Sequence, residues 1–174
     1  MDWHQTVFEL IDLRSFSNLW FWIALAVMWS SASHWVMGVP FDMVLRAKRN
    51  GGQSEIDLED MVRINTNRLL YVGRVSGLWL VGFTCFMLTG LATLGFWYEN
   101  EFAQAVFLLF FPLSLVGLMS LSTAARIQDE QASGKLLYKR LSRHRIYTQI
   151  IGVISIFVTS LWGMYQNFHS SPLG

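Results

Sequence analysis

The sequence predicts an all-α integral membrane protein. The expected architecture is a bundle of four transmembrane helices, with an N-terminal interfacial amphipathic helix and a cytoplasmic surface helix. Three observations point there. First, residues 19–39, 75–97, 102–125 and 146–168 contain no Asp, Glu, Lys or Arg. Each stretch runs to about 20 residues or more, enough helix to cross a hydrocarbon core of ~30 Å. Second, charged residues make up only 14% of the chain, against about 25% in soluble domains, while 53% is apolar and 15% aromatic. Third, the basic residues are one-sided. Of the 13 Lys and Arg, all but Arg14 fall within residues 46–74 and 126–145.

That asymmetry sets an orientation, because basic loops stay in the cytoplasm. Both polar segments are expected there. Both termini then lie on the opposite face, which is periplasmic if the membrane is a bacterial inner membrane. The whole chain, 1–174, reads as a single multi-pass membrane domain.

Each element has its own warrant. In residues 2–14, Trp3, Val7, Leu10 and Ile11 recur at helical spacing, with Asp2, Gln5, Glu9 and Asp12 mostly elsewhere. This reads as an amphipathic helix lying in the interface, not as a signal peptide, which would open on a basic region. Ser15 or Ser17 is placed to cap the next helix. The first span, 19–39, starts aromatic and ends polar, with Ser30, Ser31, Ser33 and His34. Pro40 then bends the chain, and Asp42 and Arg46 form an i, i+4 pair.

Segment 46–74 is read as a loop turning at Asn50-Gly51-Gly52, followed by a surface helix from Ser54 or Asp57. That helix carries Leu58, Met61, Val62, Leu69 and Val72 near helical spacing and runs into the second span, 75–97. A turn at 98–101 makes a hairpin with the third span, 102–125, where Pro112 is expected to kink the helix. The polar loop 126–145 leads to the fourth span, 146–168, which ends in a belt of Trp162, Tyr165 and Phe168.

Composition also excludes. A net charge of +1 gives no reason to expect nucleic acid as a partner. The single cysteine, Cys85, rules out an intrachain disulfide, a CxxC pair and a cysteine metal site. No phosphate loop, hydrolase triad or metal cluster is legible. The chain is not expected to be an enzyme, and no resident cofactor is expected.

Two groups of residues stand out. His34 is the titratable residue lying within a span. An axial haem ligand or a quinone donor is one reading. A packing histidine bonded to a serine or carbonyl of a neighbouring helix is the plainer one. Small residues repeat at four in Gly73 and Gly77, in Ser155, Thr159 and Gly163, and in Ala26 and Ser30. Such rows let helix backbones approach closely, so they mark helix-packing interfaces.

The run FELIDLRSFSNLWFW, followed by SSASHWVMGVPFD, RINTNRLLYVGRVSGLWL and VTSLWGMYQN, resembles a family of small inner membrane proteins of alphaproteobacteria, the Rhodobacter–Roseobacter group. The resemblance covers nearly the whole chain. That family is sometimes labelled a component of the Suf iron–sulfur assembly complex. The resemblance implies a bacterial inner membrane location. One cysteine cannot itself hold an iron–sulfur cluster.

The expected function is a non-catalytic accessory or assembly subunit of a larger inner membrane complex, respiratory or photosynthetic. Its partners would be other integral membrane subunits and lipid, or further copies of the chain. One alternative is a small oligomeric transporter or channel lined by the serine-rich half of the first span and Pro112. Another is a b-haem or quinone-binding redox protein using His34.

Overall fold

Asn18 opens the first helix. Its side-chain oxygen accepts a hydrogen bond from the Trp20 N–H at 3.0 Å, satisfying one of the free donors of the first turn. The computed structural model describes residue 16 and residues 18–169, and the expected amphipathic helix at 2–14, with Ser15 and Ser17, lies outside them. Helix α1 is Leu19–His34, only 16 residues. It therefore ends short of the 39 that hydropathy alone suggests. The reason lies just beyond it. Trp35–Val36 (β1) and Val39–Pro40 (β2) pair antiparallel, with Trp35 opposite Pro40 and Val36 opposite Val39. Met37 and Gly38 between them have φ of 53° and 76°. Two positive φ values make the tight turn whose twist suits a hairpin, and Pro40 lacks the N–H a continuing helix would need.

The chain then re-enters helix at α2, Phe41–Asn50, where a loop was expected from 46 onward. Phe41, Val44 and Ala47 bury one face of it, at i, i+3 and i+6. The Asp42–Arg46 pair closes on its exposed side at 3.3 Å. Gly51 and Gly52, both at positive φ, separate α2 from α3, Gln53–Ala92, a helix of 40 residues. Helix α3 continues through a π-helical segment, Thr93–Trp97. After Asn100, whose side chain accepts from the Ala103 N–H at 3.0 Å, α4 runs Glu101–Asp129 with Pro112 buried inside it. Residues 130–133 turn, with Gln131 at φ 47°, and α5 is Gly134–His169. The segment 126–145 is thus mostly helix, with a break only at the turn. Asp129 and Gly134 are close enough in sequence for α4 and α5 to be antiparallel neighbours.

The buried core sits at one end of this bundle. Val36, Val39, Phe41, Val44, Ala47, Leu58, Val62, Ile127, Leu137 and Leu141 form one cluster. It joins the hairpin, α2, the start of α3, the end of α4 and the start of α5 into a cap. The Arg145 guanidinium lies over the Phe41 ring at 3.9 Å, and Asn65 donates to the Gly38 carbonyl at 3.2 Å, so α5 and α3 both grip the α2 end. Both basic segments of the sequence meet in this cap.

Away from the cap the pattern inverts. The most apolar window of α3 has 0% of its residues buried inside the chain, that of α4 11% and that of α5 28%. Leu78 and Trp79 are 87% and 83% exposed. In water each large apolar side chain so placed would forgo about 1.5–3 kcal/mol of burial. Among the described residues three helices, Gln53–Trp97, Glu101–Asp129 and Gly134–Phe168, are long and apolar enough to cross a membrane; α1 is shorter.

Candidate functional site

The structure divides the small-residue rows between two surfaces. On α5, a side-chain carbon added at Gly152 would meet the Trp29 ring at 2.8 Å, and one at Gly163 would meet Phe16 at 3.2 Å and Trp22 at 3.3 Å. Ser155 and Thr159, between those glycines, are buried. This row therefore seats the tryptophans of α1. Trp22 is fixed in turn by its indole N–H, which donates to the Phe16 carbonyl at 3.1 Å. On α3, Gly73 faces Leu121 of α4 at 3.1 Å, whereas Gly77, Gly82 and Gly90 face nothing within 4 Å among the described residues. Ala26 and Ser30 of α1 are exposed.

His34 does not make the interhelical bond expected of it. It ends α1 on the exposed side, with its ring edge-on to Trp35 at 5.9 Å, and among the described residues it has no hydrogen-bond partner. The imidazole is exposed on the outside of the bundle, not packed between helices. No group of three or more His, Cys, Asp or Glu that could hold a metal ion occurs among the described residues.

Among the described residues the buried histidine is His144, on α5. Its Nε2 lies 3.3 Å from Ser120 Oγ and its Nδ1 3.2 Å from Thr123 Oγ1, both on α4. The Ser120 hydroxyl already donates to the Val116 carbonyl at 2.8 Å, so it can only accept from the imidazole. Nε2 then carries the proton, and Nδ1 accepts from the Thr123 hydroxyl. One imidazole thus ties two turns of α4 to α5. Thr148, a turn further along, donates to the His144 carbonyl at 3.1 Å.

A second polar knot lies at the far end of the bundle. Gln104 is 2% exposed. Its side-chain N–H donates to the Gly95 carbonyl at 2.8 Å, and its oxygen accepts from the Trp162 indole at 2.9 Å and from Gln166 at 2.6 Å. Three helices meet at one carboxamide. The π-helical turn makes this contact: it carries Gly95, whose absent side chain lets the Gln104 backbone N approach to 2.9 Å of where a Cβ would stand. Phe96 packs edge-on against both Phe107 and Trp162, at 5.6 and 5.5 Å. Phe96, Gln104, Trp162 and Gln166 border a cleft of about 420 Å³ together with Glu99 and Tyr165.

At the cap, Glu59 accepts from the Gly134 N–H at 2.8 Å, and Tyr138 bonds Glu55. Burial, and then the Glu55 and Glu59 carboxylates beside it, push the Tyr138 phenol above its ordinary value. Glu55 and Glu59 are thereby engaged at the start of α5, while Asp57 and Asp60 pair within α3 with Gln53 and Arg63. The knots at His144 and Gln104 hold helices together; a neutral carboxamide has no proton to give at physiological pH. Sequence reasoning passed over Gln104 and placed His144 only at the edge of a polar loop. The available cue was a lone Gln within an apolar run and a His preceding a span by two residues. No family model, no curated protein and no solved structure matches the chain.

Proposed function

We propose that this protein is a multi-pass bacterial inner membrane protein that serves as a non-catalytic accessory or assembly subunit of a larger membrane complex. The observation that carries this reading is the bare face of α3, whose apolar window buries no residue within the chain. Gly77, one turn on from Gly73, has open space beside it among the described residues and leaves room for the backbone of another helix. In this reading α1 is a fourth, shortened span. Its 16 residues rise about 24 Å, and thinning of the bilayer with flanking aromatics takes up the difference. The cap, where the basic segments meet, faces the cytoplasm, and both termini face the periplasm. The resemblance to the alphaproteobacterial family agrees with this location.

Two experiments test the proposal. Alkaline phosphatase fused after Gly174 is expected to be active, and fused within residues 131–134 inactive; the reverse pattern reverses the orientation. Affinity purification in mild detergent followed by mass spectrometry is expected to return a stoichiometric membrane partner. Gly77→Leu should abolish that co-purification without lowering the melting temperature of the chain itself, since nothing lies within 4 Å of the position. Retention of the partner by the Gly77→Leu protein would remove α3 as the contact.

A further inference from the structure

The α4–α5 groove opens toward the cap end into a cleft of about 190 Å³, bordered by Ser122, Arg126, Arg140, Arg143, His144 and Tyr147. Its charges do not cancel. Arg140 is occupied by Glu130, to which its Nε donates at 3.0 Å. Among the described residues neither Arg126 nor Arg143 has a carboxylate partner, although Asp129 lies a turn from Arg126. Among the described residues no carboxylate lines the cleft; Glu130 meets it only through Arg140. Two guanidinium groups and two hydroxyls, those of Ser122 and Tyr147, are left at one mouth. The helix spacing then continues the same two stripes into apolar surface: Leu115 and Met119 on α4, Ile150 on α5. Leu115 and Ile150 are exposed.

We propose that this cleft binds the phosphate of an anionic phospholipid, with the acyl chains lying along the apolar continuation of the groove. The volume admits one phosphate group with a few waters, each of about 30 Å³. Arginine forks match phosphate oxygens two at a time, and a singly charged phosphodiester balances part of the excess that Glu130 leaves. Basic pockets between helices at a cytoplasmic surface are where anionic headgroups are held. His144 lies at the back of the cleft with both ring nitrogens already bonded to α4, so it fixes the spacing of the two helices without touching the ligand. The proposal deepens the membrane reading above and rests on it.

The test uses the full chain in detergent micelles containing equal amounts of phosphatidylglycerol and phosphatidylcholine, with native mass spectrometry counting retained lipid. The parent should keep phosphatidylglycerol in preference to phosphatidylcholine. Each arginine near such a surface is worth about fivefold, so Arg126→Gln with Arg143→Gln should weaken retention about thirtyfold. Both side chains are exposed, and an unchanged melting temperature confirms the variant's fold. Lys48→Gln with Arg49→Gln removes the same charge from the exposed side of α2 and should change nothing. Equal retention by the Arg126/Arg143 variant, or equal loss in the Lys48/Arg49 control, overturns the site. Inorganic phosphate at the same concentration should not displace the lipid; full displacement makes this a free-anion site instead. Carbonate washing of cell membranes separately reads the membrane assignment: release of the chain would defeat that assignment whatever the micelle result.

Discussion

Gln104→Leu is expected to melt well below the parent protein in detergent. Leucine fills a similar volume but offers no donor and no acceptor. The Gly95 carbonyl, buried in the π-helical turn, and the Trp162 indole N–H would both lose the partner they have at 2.8 and 2.9 Å. A buried polar group left unpaired costs roughly 1–3 kcal/mol, so with Trp162 half-buried the total is about 3 kcal/mol. Gln104→Glu separates the components. Its carboxylate still accepts from Trp162 and Gln166 but cannot donate to Gly95, so it should recover part of the loss at neutral pH. The measurement is thermal unfolding followed by tryptophan emission. If Gln104→Leu melts with the parent, the carboxamide is not what joins α3, α4 and α5 at this end.

The second large effect is expected at Gly152. Any side chain there starts 2.8 Å from the Trp29 ring, and Trp29 is itself buried against α5. Leucine extends further still. Overpacking a filled site costs typically 1–3 kcal/mol, and more where a rigid indole cannot turn aside. Gly152→Leu should therefore loosen α1 from α5 and expose the connection at residues 35–40 to protease. Gly77→Leu is the matched comparison, the same change on the neighbouring row, where the space is open. Equal melting temperatures and equal protease resistance for the two variants would show that the α5 row does not seat α1. A chain in which only Gly152→Leu suffers separates the internal seam from the outward one.

These two sites show where reading the sequence succeeds and where it stops. Small residues at a spacing of four were visible at Gly73 and Gly77 and at Ser155, Thr159 and Gly163, and so was their suitability for close packing. Which row faces inward was not visible, because spacing describes a helix and not its neighbours. The same limit misplaced the histidine. His34 fell inside the expected span because hydropathy continues to residue 39, but the helix ends at His34 itself and the imidazole is exposed. His144 looked like part of a polar loop, yet α5 begins at Gly134 and carries it inward against Ser120 and Thr123. Gln104 attracted no notice, since its three partners lie 9, 58 and 62 positions away.

By itself the sequence determined that the chain is mostly helical with long apolar stretches; of the four spans it suggests, the structure makes three helices long and apolar enough to cross a membrane. The sequence determined too that the chain's positive charge falls in two segments. Those properties depend on composition and on local spacing, which the chain carries without folding. Only the tertiary structure decided that the two basic segments meet in one cap over a buried core, and that an arginine-rich cleft opens beside it. It likewise decided that Gly152 on α5 holds a tryptophan, while on α3 Gly73 packs against Leu121 and Gly77 stands open. Each of those is a contact between residues distant in sequence, fixed by how helices pack and turn, and no pattern along a single helix encodes it.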